Sequence, residues 1–135
     1  MMNENFNRRK IEIVDMQNLL NLALLASVLI SFVLNYNLRL QLTGQRGFLN
    51  AQEVKEITVI TRAVLLVAAI ASIFVNLETL KILEDEPNIS VEAVESSRIE
   101  ALASIGAAVV ALMIFYAVVH NPTQAEIVDI LNPES

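Results

Sequence analysis

The stretch Ala107–Val119 reads AAVVALMIFYAVV and decides the fold class. It contains no Asp, Glu, Lys or Arg, and its apolar residues occupy the whole circumference of a helix rather than one stripe. The uncharged region around it extends from residue 101 to residue 125. A helix needs about 20 residues, each rising about 1.5 Å, to cross the hydrocarbon core of a bilayer. This region therefore predicts a membrane-spanning helix at about 99–119.

Two further uncharged stretches occur earlier in the chain. Residues 16–38 carry no charge and are long enough to span a bilayer on their own. Residues 63–77 are shorter, so a second span at about 57–77 has to include Arg62. The long side chain of Arg62 would then carry its guanidinium group back to the headgroups. The chain, residues 1–135, is thus predicted to be a single all-α membrane domain with three transmembrane helices.

Capping signals place the ends of the second helix outside its span. Asn50 followed by Glu53 fits a capping box, in which each side chain bonds the backbone amide of the other residue. The helix is therefore predicted to begin at residue 51 and to run to about residue 83. The segment Glu84–Pro87 ends it, because proline cannot continue the helical hydrogen-bond ladder.

Two more start signals follow toward the C-terminus. Asn88 or Ser90 can cap a third helix, so residues 78–98 are predicted to form a helical hairpin beyond the bilayer. Asn121, followed by a proline and then by a glutamine, is typical of another helix start. It predicts a short amphipathic helix at about 122–131, lying on the membrane interface or on a neighbouring molecule.

The composition excludes several classes of protein. The chain has no Cys, which excludes disulfides, thiol chemistry and Cys-ligated zinc, and its single His cannot build a metal site alone. The formal net charge of -6 argues against nucleic-acid binding, which needs a basic surface. There is no phosphate-binding loop and no nucleophile motif. We therefore predict that the protein is not an enzyme and has no catalytic residue, cofactor or metal.

Small and weakly polar residues recur every four positions in all three spans. Residues four apart share one helix face, and small side chains there let two helix backbones approach closely. Three interpretations remain open: packing within the chain, packing between copies, or a pore lined by the Ser and Asn side chains. The rows are Ala23, Ser27, Ser31 and Asn35 in the first helix, Ala68, Ser72 and Asn76 in the second, and Ala103, Ala107 and Ala111 in the third.

Charged and aromatic side chains mark the predicted membrane interfaces. Arg62 and Glu100 are the ionisable residues of the spans, and both lie near span ends, at opposite sides of the membrane. Aromatic rings favour the boundary between hydrocarbon and water. The aromatic residues predicted to share the outer interface are Tyr36, Phe115 and Tyr116.

The basic cluster at residues 8–10, a few residues before the first span, favours a cytoplasmic N-terminus in a plasma or cytoplasmic membrane. The spans have no central carboxylate, which argues against an ion-coupled pump. We predict a self-associating structural or assembly protein whose partners are the lipid bilayer and other copies of itself. The acidic 78–98 hairpin is a further docking point for an unidentified protein. The alternatives are a homo-oligomeric channel or membrane-permeabilising effector, and an accessory subunit of a larger membrane complex.

Overall fold

The computed structural model describes residues 2–121 and 123–131. Across these residues the chain forms four α-helices and no strand, which confirms the all-helical prediction. Three of the helices are long and apolar enough to cross a membrane, judged by length and composition. The helices are α1 (Met2–Leu42), α2 (Ala51–Asp85), α3 (Val91–His120) and α4 (Thr123–Leu131).

The predicted capping box at the start of α2 is confirmed. The Glu53 amide donates to the Asn50 side chain at 2.8 Å, and the Asn50 amide donates to the Glu53 carboxylate at 3.2 Å. Ser90 caps α3 by accepting a hydrogen bond from the amide of Ala93 at 3.2 Å. The predicted final helix is present from Thr123, whereas Pro122, its predicted first residue, lies outside the described residues.

The helices extend beyond their predicted ends. The second helix ends at Asp85, two residues later than predicted. Only Glu86 separates its end from Pro87. The first helix continues to Leu42, so the connection to α2 is the short segment 43–50. No proline or glycine occurs before Gly44, and nothing therefore stops the helix at the end of the uncharged stretch.

The second helix is the centre of the architecture. It packs on α3 more extensively than any other pair of helices packs, and it also contacts α1 and α4. Helices α2 and α3 form an antiparallel hairpin, joined by residues 86–90. Helices α1 and α3 scarcely touch, although both lie against α2.

Small residues form the contact between α2 and α3. Ser97, Ala101 and Ser104 are buried on α3, and their spacing of four and three residues places them on one face. On α2 the buried side chains along this hairpin are Val75 and Ile82. Short side chains on α3 let the two backbones approach, which is how helices associate where the hydrophobic effect is absent.

Helix α4 packs on its own chain. Ala125 and Val128 are buried with Leu34 of α1 and Val54 of α2 in one apolar cluster. The helix thus contacts its own chain, while its place at the membrane interface stays a prediction. Its apolar side is already covered by α1 and α2, whereas Ile130, on another side, is 72% exposed.

Most of the apolar surface of the three long helices is uncovered. In their most apolar windows, only 11%, 6% and 6% of the residues of α1, α2 and α3 are buried. Large side chains such as Phe32, Phe74 and Met113 are each about two-thirds exposed. In water such a surface would aggregate, whereas lipid chains solvate it without cost. The three helices thus fit a membrane protein.

Candidate functional site

An open groove lies between α1 and α3. Both helices pack on α2 without closing on each other, and a groove of about 550 Å³ remains. It extends along α2 from Arg62 to Ser72, which corresponds to about 15 Å of helix. Its walls are apolar apart from a few groups; they include Leu24 of α1, Leu65 and Ala69 of α2, and Val110 and Ile114 of α3.

A smaller, more polar pocket of about 220 Å³ lies at the loop end of this groove. The first residues of α4, Thr123 and Gln124, form one wall, and Ser31 and Thr58 lie on others. The amides of the first helical turn have no partners within the helix, and the helix dipole makes this end attractive to anions. Arg62 lines both the groove and this polar pocket.

Arg62 is half-buried and has no acidic partner among the described residues. The ion pairs found there involve three other basic side chains: Arg9, Lys10 and Arg98. Helical side chains lean toward the N-terminus of their helix, so Arg62 leans toward Thr58 and the polar pocket. Arg62, predicted to lie at a membrane interface, lies where the apolar groove meets the polar pocket.

The loop between α1 and α2 is clamped onto α1 by Asn37. This side chain is fully buried; its oxygen accepts a hydrogen bond from the Leu49 amide at 2.9 Å. Its amide group and that of Gln41 each donate to the Leu49 carbonyl at 3.4 Å. Gly47 passes so close that a Cβ atom there would lie 2.7 Å from the Asn37 oxygen. This clamp was not predicted from the sequence, in which its signal is the pair of amide side chains four residues apart, Asn37 and Gln41.

The small-residue rows of α1 and α2 mostly face their own bundle. Ser27 is buried and Ala23 and Ser31 are half-buried, as are the three α2 residues Ala68, Ser72 and Asn76. The hydroxyl groups of Ser27 and Ser72 each donate to the carbonyl four residues earlier in their own helix, at 2.9 Å.

The ends of these rows make contacts between helices. The Asn76 amide donates to the backbone carbonyl of Glu100 on α3 at 3.4 Å. Asn35 is exposed, and its oxygen accepts a hydrogen bond from Gln124 of α4 at 2.8 Å. These two amides therefore join α2 to α3 and α1 to α4.

The α3 row behaves differently from the other two. Ala111 is half-buried, whereas Ala103 and Ala107 are exposed. The residue between them that enters the contact with α2 is Ser104, which is buried. The exposed pair therefore lies beside the contact with α2.

The side chains predicted to mark the membrane interfaces lie on several surfaces. Glu100 is exposed on α3 and Phe115 is half-buried. The rings of Tyr36 and Phe48 have centroids 6.3 Å apart. Tyr116 lies against His120, with ring centroids 4.1 Å apart, and the His120 ring is 2.9 Å from the Tyr116 carbonyl.

The acidic 78–98 hairpin is tied to α1 by ion pairs. Arg9 pairs with Glu78, and Lys10 lies 3.4 Å from Glu86, while Glu84 and Arg98 pair within the hairpin at 3.6 Å. The hydrogen bond from Arg9, together with its charge, holds the pKa of the Glu78 carboxyl, which lies outside the predicted spans, below its usual range.

Within the described part of the chain, no group of three or more His, Cys, Asp or Glu side chains is placed to hold a metal ion. Comparisons of the chain with protein-family models, with curated proteins and with solved structures found no match.

Proposed function

We propose that this chain is an integral membrane protein with a structural or assembly role, which associates with other copies of itself through α3. The extensive uncovered apolar surface of the three long helices supports a membrane location. A structural role accords with side chains that hold helices together and with the absence of catalytic motifs in the sequence.

The observation that carries self-association is the exposure of Ala103 on α3. It lies beside the face that packs on α2, whereas Ala107, one helical turn further along, lines the groove between α1 and α3. A small side chain makes little contact with lipid, but it lets the backbone of a second helix approach closely. The neighbouring Ser104 shows the same principle at work within the chain, because it is buried where α3 meets α2.

The amide side chains at the ends of the rows favour assembly over conduction. A pore needs polar groups that are free to replace the hydration shell of an ion. The Asn76 amide instead donates to the backbone carbonyl of Glu100 on α3. Asn35, the predicted polar end of the α1 row, bonds to Gln124 of α4.

For orientation, we propose that the N-terminus and the hairpin of residues 78–98 face the cytoplasm. Residues 8–10 form the most compact basic cluster of the chain, and such clusters are retained on the cytoplasmic side. Labelling of single cysteines introduced at Asn7 and at Gln45 in intact cells would test this. Labelling of position 7 by a membrane-impermeant reagent would show that the N-terminus lies outside the cell, and would contradict the proposed orientation.

The mass of the detergent-solubilised protein tests self-association. The chain has a mass of 14.9 kDa, so a particle of two or more copies is readily distinguished from a monomer once bound detergent is subtracted. The wild type is expected to form such a particle, and Ala103→Leu is expected to yield the monomer, because the larger side chain separates the helices. Ala26→Leu, the same change at an exposed position of α1, is the matched control and should leave the particle unchanged.

Two results would contradict the proposal. A wild-type particle that contains one chain in mild detergent and in bilayer discs would exclude self-association. Reproducible single-channel currents from the pure protein would instead favour the channel.

A further inference from the structure

We propose that the groove between α1 and α3 binds one anionic lipid, with the lipid phosphate at Arg62 and one acyl chain along the groove. The polar pocket beside Thr123 would hold the headgroup. This inference rests on the proposed membrane location but not on self-association.

The charge of Arg62 is the first argument. A guanidinium group beside an apolar groove is poorly solvated, and Arg62 has no acidic partner among the described residues. Arginine binds phosphate through two parallel hydrogen bonds, and such charge-assisted bonds are strongest where water is excluded. The first residues of α4, Thr123 and Gln124, line the same pocket, and the N-terminus of a helix favours an anion.

An unsatisfied acceptor gives a second, independent argument. The side-chain oxygen of Gln124, which lines the polar pocket, is buried and has no hydrogen-bond partner among the described residues. An anion cannot satisfy this oxygen, because a carbonyl oxygen accepts hydrogen bonds and therefore needs a donor. A headgroup that carries hydroxyl groups beside its phosphate supplies both chemistries: the phosphate accepts from Arg62 and a hydroxyl donates to Gln124. A phosphatidylglycerol headgroup has this composition.

The length of the groove matches an acyl chain. The groove extends for about 15 Å from Arg62 to Ser72, which is half of a hydrocarbon core of about 30 Å. One lipid tail covers this half.

The end of the groove that would hold the headgroup lies near the predicted membrane surface. The polar pocket adjoins Thr58, and the preceding turn of α2 carries Lys55 and Glu56, which are exposed. Charged residues at this level indicate the membrane surface. A phosphate at the polar pocket would thus lie at headgroup depth, with its tail directed toward the bilayer centre.

Native mass spectrometry of the full chain tests the proposal. The purified protein is mixed with phosphatidylglycerol and phosphatidylcholine of identical acyl chains, and the lipids retained after release from the micelle are counted. We expect one phosphatidylglycerol per chain and little phosphatidylcholine. Arg62→Gln should weaken phosphatidylglycerol binding by about tenfold, the effect of losing one charge-assisted contact. Arg39→Gln, the same change at an exposed position of α1, should have no effect.

A second pair of variants tests the acyl-chain half of the site. Ala69 lines the groove, so Ala69→Leu should fill it and reduce retention of the lipid. Val67→Leu, at a position 67% exposed on the same helix, is the matched control. Arg62→Lys keeps the charge and should retain more lipid than Arg62→Gln. If circular dichroism shows that Arg62→Gln does not fold, the comparison of lipid retention between Ala69→Leu and Val67→Leu tests the proposal.

Four results would overturn the proposal: equal retention of the two lipids, equal effects of Arg62→Gln and Arg39→Gln, normal binding by Ala69→Leu, or a lipid-free dimer. Extraction of cell membranes with alkaline carbonate shows whether only the lipid site is wrong or whether the proposed membrane location is wrong as well. A chain that stays in the membrane but retains no lipid would refute the lipid site alone. A chain released by carbonate would refute both.

Discussion

Replacing Asn37 with leucine should release the loop between α1 and α2. The substitution keeps the number and branching of the side-chain heavy atoms but removes the acceptor of the 2.9 Å hydrogen bond from the Leu49 amide. The bond at 3.4 Å to the Leu49 carbonyl is at the limit of hydrogen bonding and contributes less. A buried amide left without its partner costs about 1–3 kcal/mol. Because Leu49 is only half-buried, we expect about 2 kcal/mol, or roughly a 30-fold shift in the opening equilibrium of the loop.

Hydrogen exchange at the Leu49 amide measures this directly. In bilayer discs the Asn37→Leu variant should exchange at this amide roughly 30-fold faster than the wild type. Asn18→Leu, which changes an exposed asparagine of the same helix, should leave the rate unchanged. Gly47→Ala should speed exchange too, since its Cβ atom would displace Asn37, and the double variant should be little faster than either single variant. Equal exchange of Leu49 in Asn37→Leu and the wild type would refute the role of the clamp.

Two further predictions concern the ends of the bundle. Val128→Ala should detach α4, at a cost of about 1–3 kcal/mol for the lost side-chain packing, and proteolysis near residue 131 should accelerate; Ile130→Ala, at a position 72% exposed, should not have this effect. Glu78→Gln should lower the thermal midpoint at neutral pH, because the contact with Arg9 depends on an ionised carboxylate whose pKa is lowered by folding. This contribution is present above the ordinary pKa of glutamate and is lost as the pH falls through the lowered pKa, so wild type and variant should converge in acid. A constant difference at all pH values would contradict it.

The gaps between charged residues and the capping signals were sufficient to locate the helices. The uncharged stretches correspond to three long apolar helices, and Asn50 with Glu53 marks the start of α2 because a capping box is a local interaction. The final helix was located in the same way. Its packing on α1 and α2 was not predicted, because an apolar helix face looks the same whether it covers lipid or protein. The contacts of Val128 with α1 and α2 could only be seen in the folded chain.

The sequence could not predict which way the small residues face, nor the site around Arg62. A span that is apolar on every side has no polar face to indicate its rotation, so Ala103 and Ser104 are equivalent in the sequence although only Ser104 is buried. The groove exists because α1 and α3 both pack on α2 but scarcely touch each other, which is a property of the tertiary packing. The clamp joins Asn37 to Leu49, twelve residues later, through a loop that carries no regular pattern.

The hydrogen bond of Ser27 to its own helix has a consequence for the order in which the chain is made. Helix α1 leaves the ribosome first, and at that moment neither α2 nor α4 exists to accept its polar groups. Ser27 brings no unsatisfied hydroxyl into the lipid, since Ala23 already accepts its proton. Asn37 finds its partner only when Leu49 has emerged, and it lies close to the C-terminal end of the helix, where water can solvate it in the meantime. The first helix can thus be inserted into the bilayer, with its polar groups satisfied, before the later helices are synthesised.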